Sequence, residues 1–284
     1  MSRLMMKLLA GLMALMLAAL GLAMLPAVRR QAQQRRDARA VDGYRRTVDA
    51  MDSLESGTWL AQARRYNEET LADVRLADAF APGAMLVADA RYGALLDPCG
   101  NGVLAVLEIP KLGAAMPVYH GTDIATLETG AIHLPGTGLP VSGDGAACAL
   151  VAENGTKAAR LFAELDRLLP GDCFTLRVMQ ETLAFQVERT GVVDAAELPE
   201  VPLENDMCAL LTRAQGEDTG RLLVLARRIP LRNVPLWDDT WMVPNWTARL
   251  VFAAPVLLAG LVLLAVVETI RRGIAQMRLK RKKL

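Results

Sequence analysis

Side chains able to do nucleophilic, metal or acid–base chemistry of the usual kinds are few in this chain. Its two histidines are His120 and His133, and its four cysteines are Cys99, Cys148, Cys173 and Cys208. No two cysteines form a C-x-x-C pair and neither histidine stands at ligand spacing from any of them, so no metal site is expected. The patterns G-x-x-x-x-G-K-[ST], G-x-G-x-x-G and G-x-S-x-G are also missing. Nucleotide-dependent and α/β-hydrolase chemistry therefore have no support, and no cofactor is expected.

The elements that must position any site follow from hydrophobic periodicity. From about residue 103 to 231 the period is two: Phe174, Leu176 and Val178 alternate with polar residues, and Leu183, Phe185 and Val187 do the same beyond Met179, Gln180 and Glu181. That pattern predicts a β-hairpin. Further strands are expected at 103–109, 148–152, 207–212 and 221–225. A single helix is expected at 157–169, ended by Pro170 and Gly171 and carrying an apolar stripe of Leu161, Phe162, Leu165 and Leu168. Many short strands with one helical insertion predict a closed or nearly closed β-barrel. Residues 31–76 have helical spacing instead, with Val48, Met51 and Leu54 on one stripe, a break at Gly57, and Leu60, Ala63, Leu71 and Val74 beyond it.

With 284 residues, 52% of them hydrophobic, and a net charge of +1, the chain can bury one domain-sized core and still have apolar sequence left over. The surplus lies at the ends. Residues 8–28 and 250–267 contain no charge, and a helix of about 20 residues spans a hydrocarbon core of roughly 30 Å. A cleaved leader, with Arg3 and Lys7 as its basic region, competes for the first run; that run is longer than usual for a leader and lacks a clean small-x-small site before Arg29. A buried core helix competes for the second, where Pro255 weakens helix formation. Trp237, Trp241 and Trp246 precede that second run as an interfacial belt would, and Arg271, Arg272, Arg278, Lys280, Arg281, Lys282 and Lys283 follow it. The expected topology is therefore two-pass, in the cell membrane, with the tail cytoplasmic and the central region outside. Arg29, Arg30, Arg35 and Arg36 run against that orientation, but the C-terminal cluster is denser. Beside a membrane span, the basic tail is expected to meet anionic lipid and not nucleic acid.

Four segments in order carry a family resemblance. EIPKLG (108–113) with MPVYHGT (116–122), HLPGTGLPV (133–141), LFAELDRL (161–168) with GDCF (171–174), and TGRLLV (219–224) resemble the barrel motifs of class C, pilin-type sortases. The resemblance implies a mainly β fold. A sortase-like closed β-barrel with a helical insertion would follow an N-terminal helical region and be flanked by two transmembrane helices. The implied organisation is a membrane anchor at 1–28, a helical stalk at 29–76, the barrel domain at 77–231, a juxtamembrane linker at 232–249, a transmembrane helix at 250–270 and a basic cytoplasmic tail at 271–284.

The family's catalytic residues map unevenly onto this chain. Counting back from Leu161, Glu153 stands at the position of the catalytic histidine; counting back from Arg221, Thr212 stands at that of the nucleophilic cysteine. Arg221 matches the oxyanion-stabilising arginine. Asp78, Ala79 and Phe80 resemble the D-P-[FW] lid of the family without its proline. Cysteine transpeptidation needs a thiolate and a nearby acid, so the expected function is that of a pseudo-sortase. It would bind or scaffold pilin or surface-protein sorting signals, or an active sortase, during pilus or surface-protein assembly at the cell wall. One alternative is an active transpeptidase or hydrolase on LPxTG-like signals, using Thr212 with Glu153. Another is a structural module that binds no sorting signal. Cys208 precedes Thr212 by four residues, ~13 Å along a strand, too far to replace it. Cys148 and Cys208 fall on strands that neighbour each other in the family fold, where either a disulfide or two buried thiols fit.

Overall fold

The apolar run at 103–109 is bracketed by Gly102 and Pro110, and it folds as strand β1 (Val103–Ile109), buried along nearly its whole length. Burial on both faces explains its near-continuous apolar sequence: one face lines the barrel and the other lies under helical residues. The computed structural model describes residues 3–70, 74–81, 83–84, 86, 90–121, 126–127, 129–143, 146–155 and 161–234, with 260, 268 and 271. They fall in two units, Met1–Val28 with Asp239–Leu284, and Arg29–Asp238.

Seven more strands complete a ring: β2 (Ala114–His120), β3 (Ala131–His133), β4 (Cys148–Val151), β5 (Cys173–Val178), β6 (Glu181–Asp194), β7 (Met207–Arg213) and β8 (Gly220–Ile229). Their order is β1-β2-β3-β4-β7-β8-β6-β5, and β5 closes on β1. The β2·β3 and β4·β7 pairs are parallel and the rest antiparallel. The predicted hairpin forms as β5 and β6, where Phe174 pairs with Phe185 and their rings stack 5.4 Å apart. Its turn holds Met179 at φ +50°, a region disfavoured for a side chain of that size. Tyr44 stabilises it from the helical region: its hydroxyl accepts the Met179 N–H (2.8 Å) and donates to the Leu104 carbonyl (2.9 Å).

The helical region is α1 (Arg3–Ala50) and α2 (Ser53–Thr70). The break falls at Met51 and Asp52, not at Gly57, because Asp52 caps α2: its carboxylate accepts the Glu55 N–H at 2.7 Å. Gly57 is an ordinary α2 residue with open space around its Cα. Instead of standing off as a stalk, the part of this region within the larger unit packs on the barrel. Val41, Tyr44, Val48, Leu60 and Ala63 join the barrel core, and Asn67 exchanges hydrogen bonds with both backbone groups of Leu139, at 3.0 and 2.9 Å.

The helix expected at 157–169 is corrected. Residues 156–160 lie outside the described set, and Leu161–Glu164 form turns that lead into a single 3-10 turn, Leu165–Arg167. Leu161 sits at φ +41°, which an α-helix excludes. The apolar stripe survives the change, since Leu161, Phe162, Leu165 and Leu168 are all buried in the barrel core. Among the described residues no helix is long and apolar enough to cross a membrane. The two expected spans therefore rest on sequence alone, and apart from Gly260 and Glu268 the second lies outside the described residues.

A second apolar cluster covers the outer side of β4, β7 and β8. Ala149, Val151, Ala209, Leu211, Leu223 and Leu225 form its floor, and Leu76, Ala79, Phe80 and Leu198 lie over it. The candidate site is at one end of this cluster.

Candidate functional site

Three strand ends converge there. In the parallel β4·β7 pair Val151 is opposite Leu211, and the Ala152 N–H continues the ladder to the Leu211 carbonyl at 3.2 Å. Glu153 thus arrives beside Arg213. In the antiparallel β7·β8 pair Thr212 faces Leu222 across the ladder, and Arg213 faces Arg221. Side chains alternate along a strand, so Arg213 and Arg221 share the outer face with Leu211 and Leu223. Thr212 shares the inner face with Cys208 and Leu210.

Arg221 is the electrostatic centre. Asp78 grips it with a two-pronged ion pair, Nε to Oδ1 and Nη2 to Oδ2, both 2.8 Å, with side-chain exposures of 5% and 13%. Arg221 Nη1 donates to the Asp218 and Gly220 carbonyls, each at 3.0 Å. Four of the five guanidinium N–H groups are therefore committed. The hydrogen bond and charge of Asp78 hold the guanidinium still more firmly protonated than usual, and Asp194 and Glu153 act in the same direction.

The lid-like tripeptide is ordered around this pair. Asp78 Oδ1 also accepts the Phe80 N–H at 3.1 Å, a local turn that holds the segment in place without the family's proline. The buried ring of Phe80 lies 4.9 Å from the Arg213 guanidinium and 5.6 Å from that of Arg221, both within cation–π range. Arg213 also pairs with Glu153 at 3.5 Å, and Asn154 donates to the Arg213 carbonyl at 2.8 Å.

The structure thus brings Asp78, Phe80, Glu153 and Arg221 together and adds Arg213, which no family pattern singles out. Its sequence signal is the charge that ends the otherwise uncharged β7 (MCALLTR). Thr212 is not part of the group. Its hydroxyl is fully buried and has no hydrogen-bond partner among the described residues, and the Glu153 carboxylate is not bonded to it.

Neither histidine offers a substitute acid or base. His133 is enclosed by Tyr92 Oη at Nδ1 (2.8 Å) and the Gly138 carbonyl at Nε2 (2.7 Å), and burial lowers its pKa to about 4. His120 turns both ring nitrogens toward backbone carbonyls, of Gly102 (3.1 Å) and Leu95 (2.7 Å). Both are structural. Among the described residues no three His, Cys, Asp or Glu side chains gather as a metal would require.

Comparison with known proteins settles the family. The model of the Sortase domain matches residues 107–229. Sortase C of Streptococcus pneumoniae is 30% identical and superposes with a TM-score of 0.60, covering 69% of this chain and 99% of its own. The chain belongs to the sortase family. Sortase C2 of the Group B Streptococcus pilus island 1 is 34% identical (TM-score 0.56), with 63% of this chain and all of that one covered. Sortase C1 of the same island is 26% identical (TM-score 0.62), with 72% and 97% covered. No curated protein matches. The solved neighbours of this sortase-family chain are pilus-related class C enzymes, and its eight-stranded barrel is the fold they share.

Proposed function

We propose that this sortase-family protein is a membrane-anchored pseudo-sortase that binds or scaffolds partners in pilus or surface-protein assembly. One observation carries the reading. At the nucleophile position the Thr212 hydroxyl is buried with no partner among the described residues, while the Glu153 carboxylate that would have to activate it is paired with Arg213. An alcohol is a weak nucleophile without a base in hydrogen-bond reach. Arg221, the residue retained from the family machinery, is held by Asp78. The barrel remains, with Ala79 and Phe80 seated over its outer face, and it suits recognition without turnover.

The partner class comes from the neighbours. Sortase C of Streptococcus pneumoniae has pilin substrates, and sortases C1 and C2 of Group B Streptococcus belong to pilus island 1. The uncharged runs at 8–28 and 250–267 and the basic tail support anchoring with the barrel outside the cell and the tail against cytoplasmic lipid. Protease added to intact cells should then remove the region between Arg29 and Trp246 and spare a tag after Leu284. An externally accessible tag overturns the two-anchor topology.

The deciding experiment mixes the purified 29–238 unit with an LPxTG-type peptide and follows both binding and cleavage. Saturable binding without cleavage is expected. Cleavage that Thr212→Ala abolishes replaces the pseudo-sortase with a threonine mechanism, and absence of binding leaves a structural module.

A further inference from the structure

Cys148 opens β4 and Cys208 is the second residue of β7, and the two are direct partners in the parallel ladder. We infer that in the mature protein they form a disulfide that ties together the two strands that lead to Glu153 and Arg213 in the site. The inference rests on the extracytoplasmic placement proposed above, because structural disulfides persist in oxidising compartments.

The geometry is favourable on three counts. Neighbouring strands lie about 4.8 Å apart, and disulfide-linked residues have Cα atoms roughly 4.4–6.8 Å apart, so directly opposed residues fall within reach. Registered partners project to the same face of a sheet, and both cysteines belong to the same core cluster. Both thiols are buried. Cys99 and Cys173 lie elsewhere, in the loop before β1 and at the start of β5, and Cys173 directs its thiol at the Gly171 carbonyl (3.7 Å).

Burial also fixes when the bond forms. Exchange requires a thiolate, and burial together with the adjacent Cys148 pushes the Cys208 thiol well above its usual range. In the closed barrel the Cys208 sulfur is therefore a poor nucleophile, and Cys148 is buried beside it. Oxidation therefore belongs to folding, before β4 and β7 are sealed. Each thiol loses a proton, the pair gives up two electrons as the S–S bond forms, and a small-molecule or protein disulfide accepts them and becomes two thiols.

The test counts thiols. The 29–238 unit is refolded from the reduced state with a mixture of reduced and oxidised glutathione. In parallel, the full chain is extracted from the membranes of the cells that express it. Both are denatured without reductant, alkylated and weighed. The expected result is alkylation of two of the four cysteines, Cys99 and Cys173, with a linked peptide joining Cys148 to Cys208. Cys148→Ala should leave three alkylatable thiols. Reductant should lower the melting temperature of the refolded unit by roughly 5 °C or more and leave Cys148→Ala/Cys208→Ala unaffected. Four free thiols in both preparations, or a linkage through Cys99 or Cys173, overturn the bond. A bond in the refolded protein with four thiols in the membrane-extracted one shows that the geometry is sound and the outward placement is wrong.

Discussion

Removing the Asp78 carboxylate tests the centre of the site, and the structure sets the size of the effect. In Asp78→Ala the Arg221 guanidinium, only 5% exposed, loses its ionic partner but keeps two backbone acceptors and the Phe80 ring. Stranding one member of a buried pair typically costs 3–5 kcal/mol, and the surviving contacts place this case near ~3 kcal/mol. For a unit of about 200 residues each kcal/mol lowers the melting temperature by roughly 2–4 °C, so a fall of about 6–12 °C is expected. Urea denaturation of the 29–238 unit, in a cycle of wild type, Asp78→Ala, Arg221→Met and the double variant, measures the coupling. Asp78→Ala/Arg221→Met should be more stable than Asp78→Ala alone, because it leaves no buried charge. A smaller loss accompanied by faster proteolysis around residues 74–81 would mean that the segment lifts away and lets Arg221 rehydrate. A change under about 0.5 kcal/mol with no coupling, well below the usual cost of breaking a buried pair, and with unchanged proteolysis, would refute the pairing.

Phe162→Ala should cost roughly 3–5 kcal/mol by denaturant unfolding, because Phe162 is fully buried in the barrel core; an unchanged midpoint would place it at the periphery. His133 has a folded pKa of about 4 against an ordinary 6.5. The unfolded chain therefore binds the proton more readily, and stability should be full above about pH 6.5 and fall on acidification towards pH 4, by about 3 kcal/mol from this group. Asp37, raised to about 6 by burial, works in the opposite direction in the same window, so the quantity to measure is the difference between wild type and His133→Gln. Thr212→Cys alone should give no acyl-enzyme with a sorting peptide on intact-mass analysis. Its thiol would be buried without an imidazolium beside it, and its pKa would sit at or above the ordinary ~8.5. Thr212→Cys/Glu153→His, with Arg221 kept, supplies the missing imidazole, and an adduct in the single variant would refute the need for it.

The strands that were legible in the sequence are those whose ends carry punctuation. β1 matches its expected range because Gly102 and Pro110 bound it, and the β5–β6 hairpin follows from clean alternation of large apolar residues. β2 contains Pro117 and β3 is three residues long, so neither offers a window in which a period can be read. β6 continues to Asp194 through a half-exposed stretch with little alternation, because β8 pairs with it the whole way. Local pattern does not encode that support. At the site, Glu153 and Thr212 follow from counting back from family motifs, Arg221 from a motif itself, and the 78–80 segment from its likeness to the lid tripeptide. Which way each side chain points was not readable. The one-residue offset between Thr212 and Arg213 puts them on opposite faces of β7, and only the ladder register fixes that choice.

That same length of β6 exposes the protein to a hazard it has to manage. β5 accompanies β6 only as far as Gln186, whereas the pairing of Val193 with Arg221 and Asp194 with Gly220 needs the strand to run on. Beyond Gln186 no strand among the described residues occupies the margin that β5 leaves. Such a margin is a template on which a second molecule can polymerise. Glu188, Arg189 and Asp194 place exposed charge along it, and the bulge between Val187 and Arg189 twists it out of register. A neighbouring chain would have to strip water from those charges to add a strand. The extension that fixes Arg221 in place is thereby kept from seeding fibres.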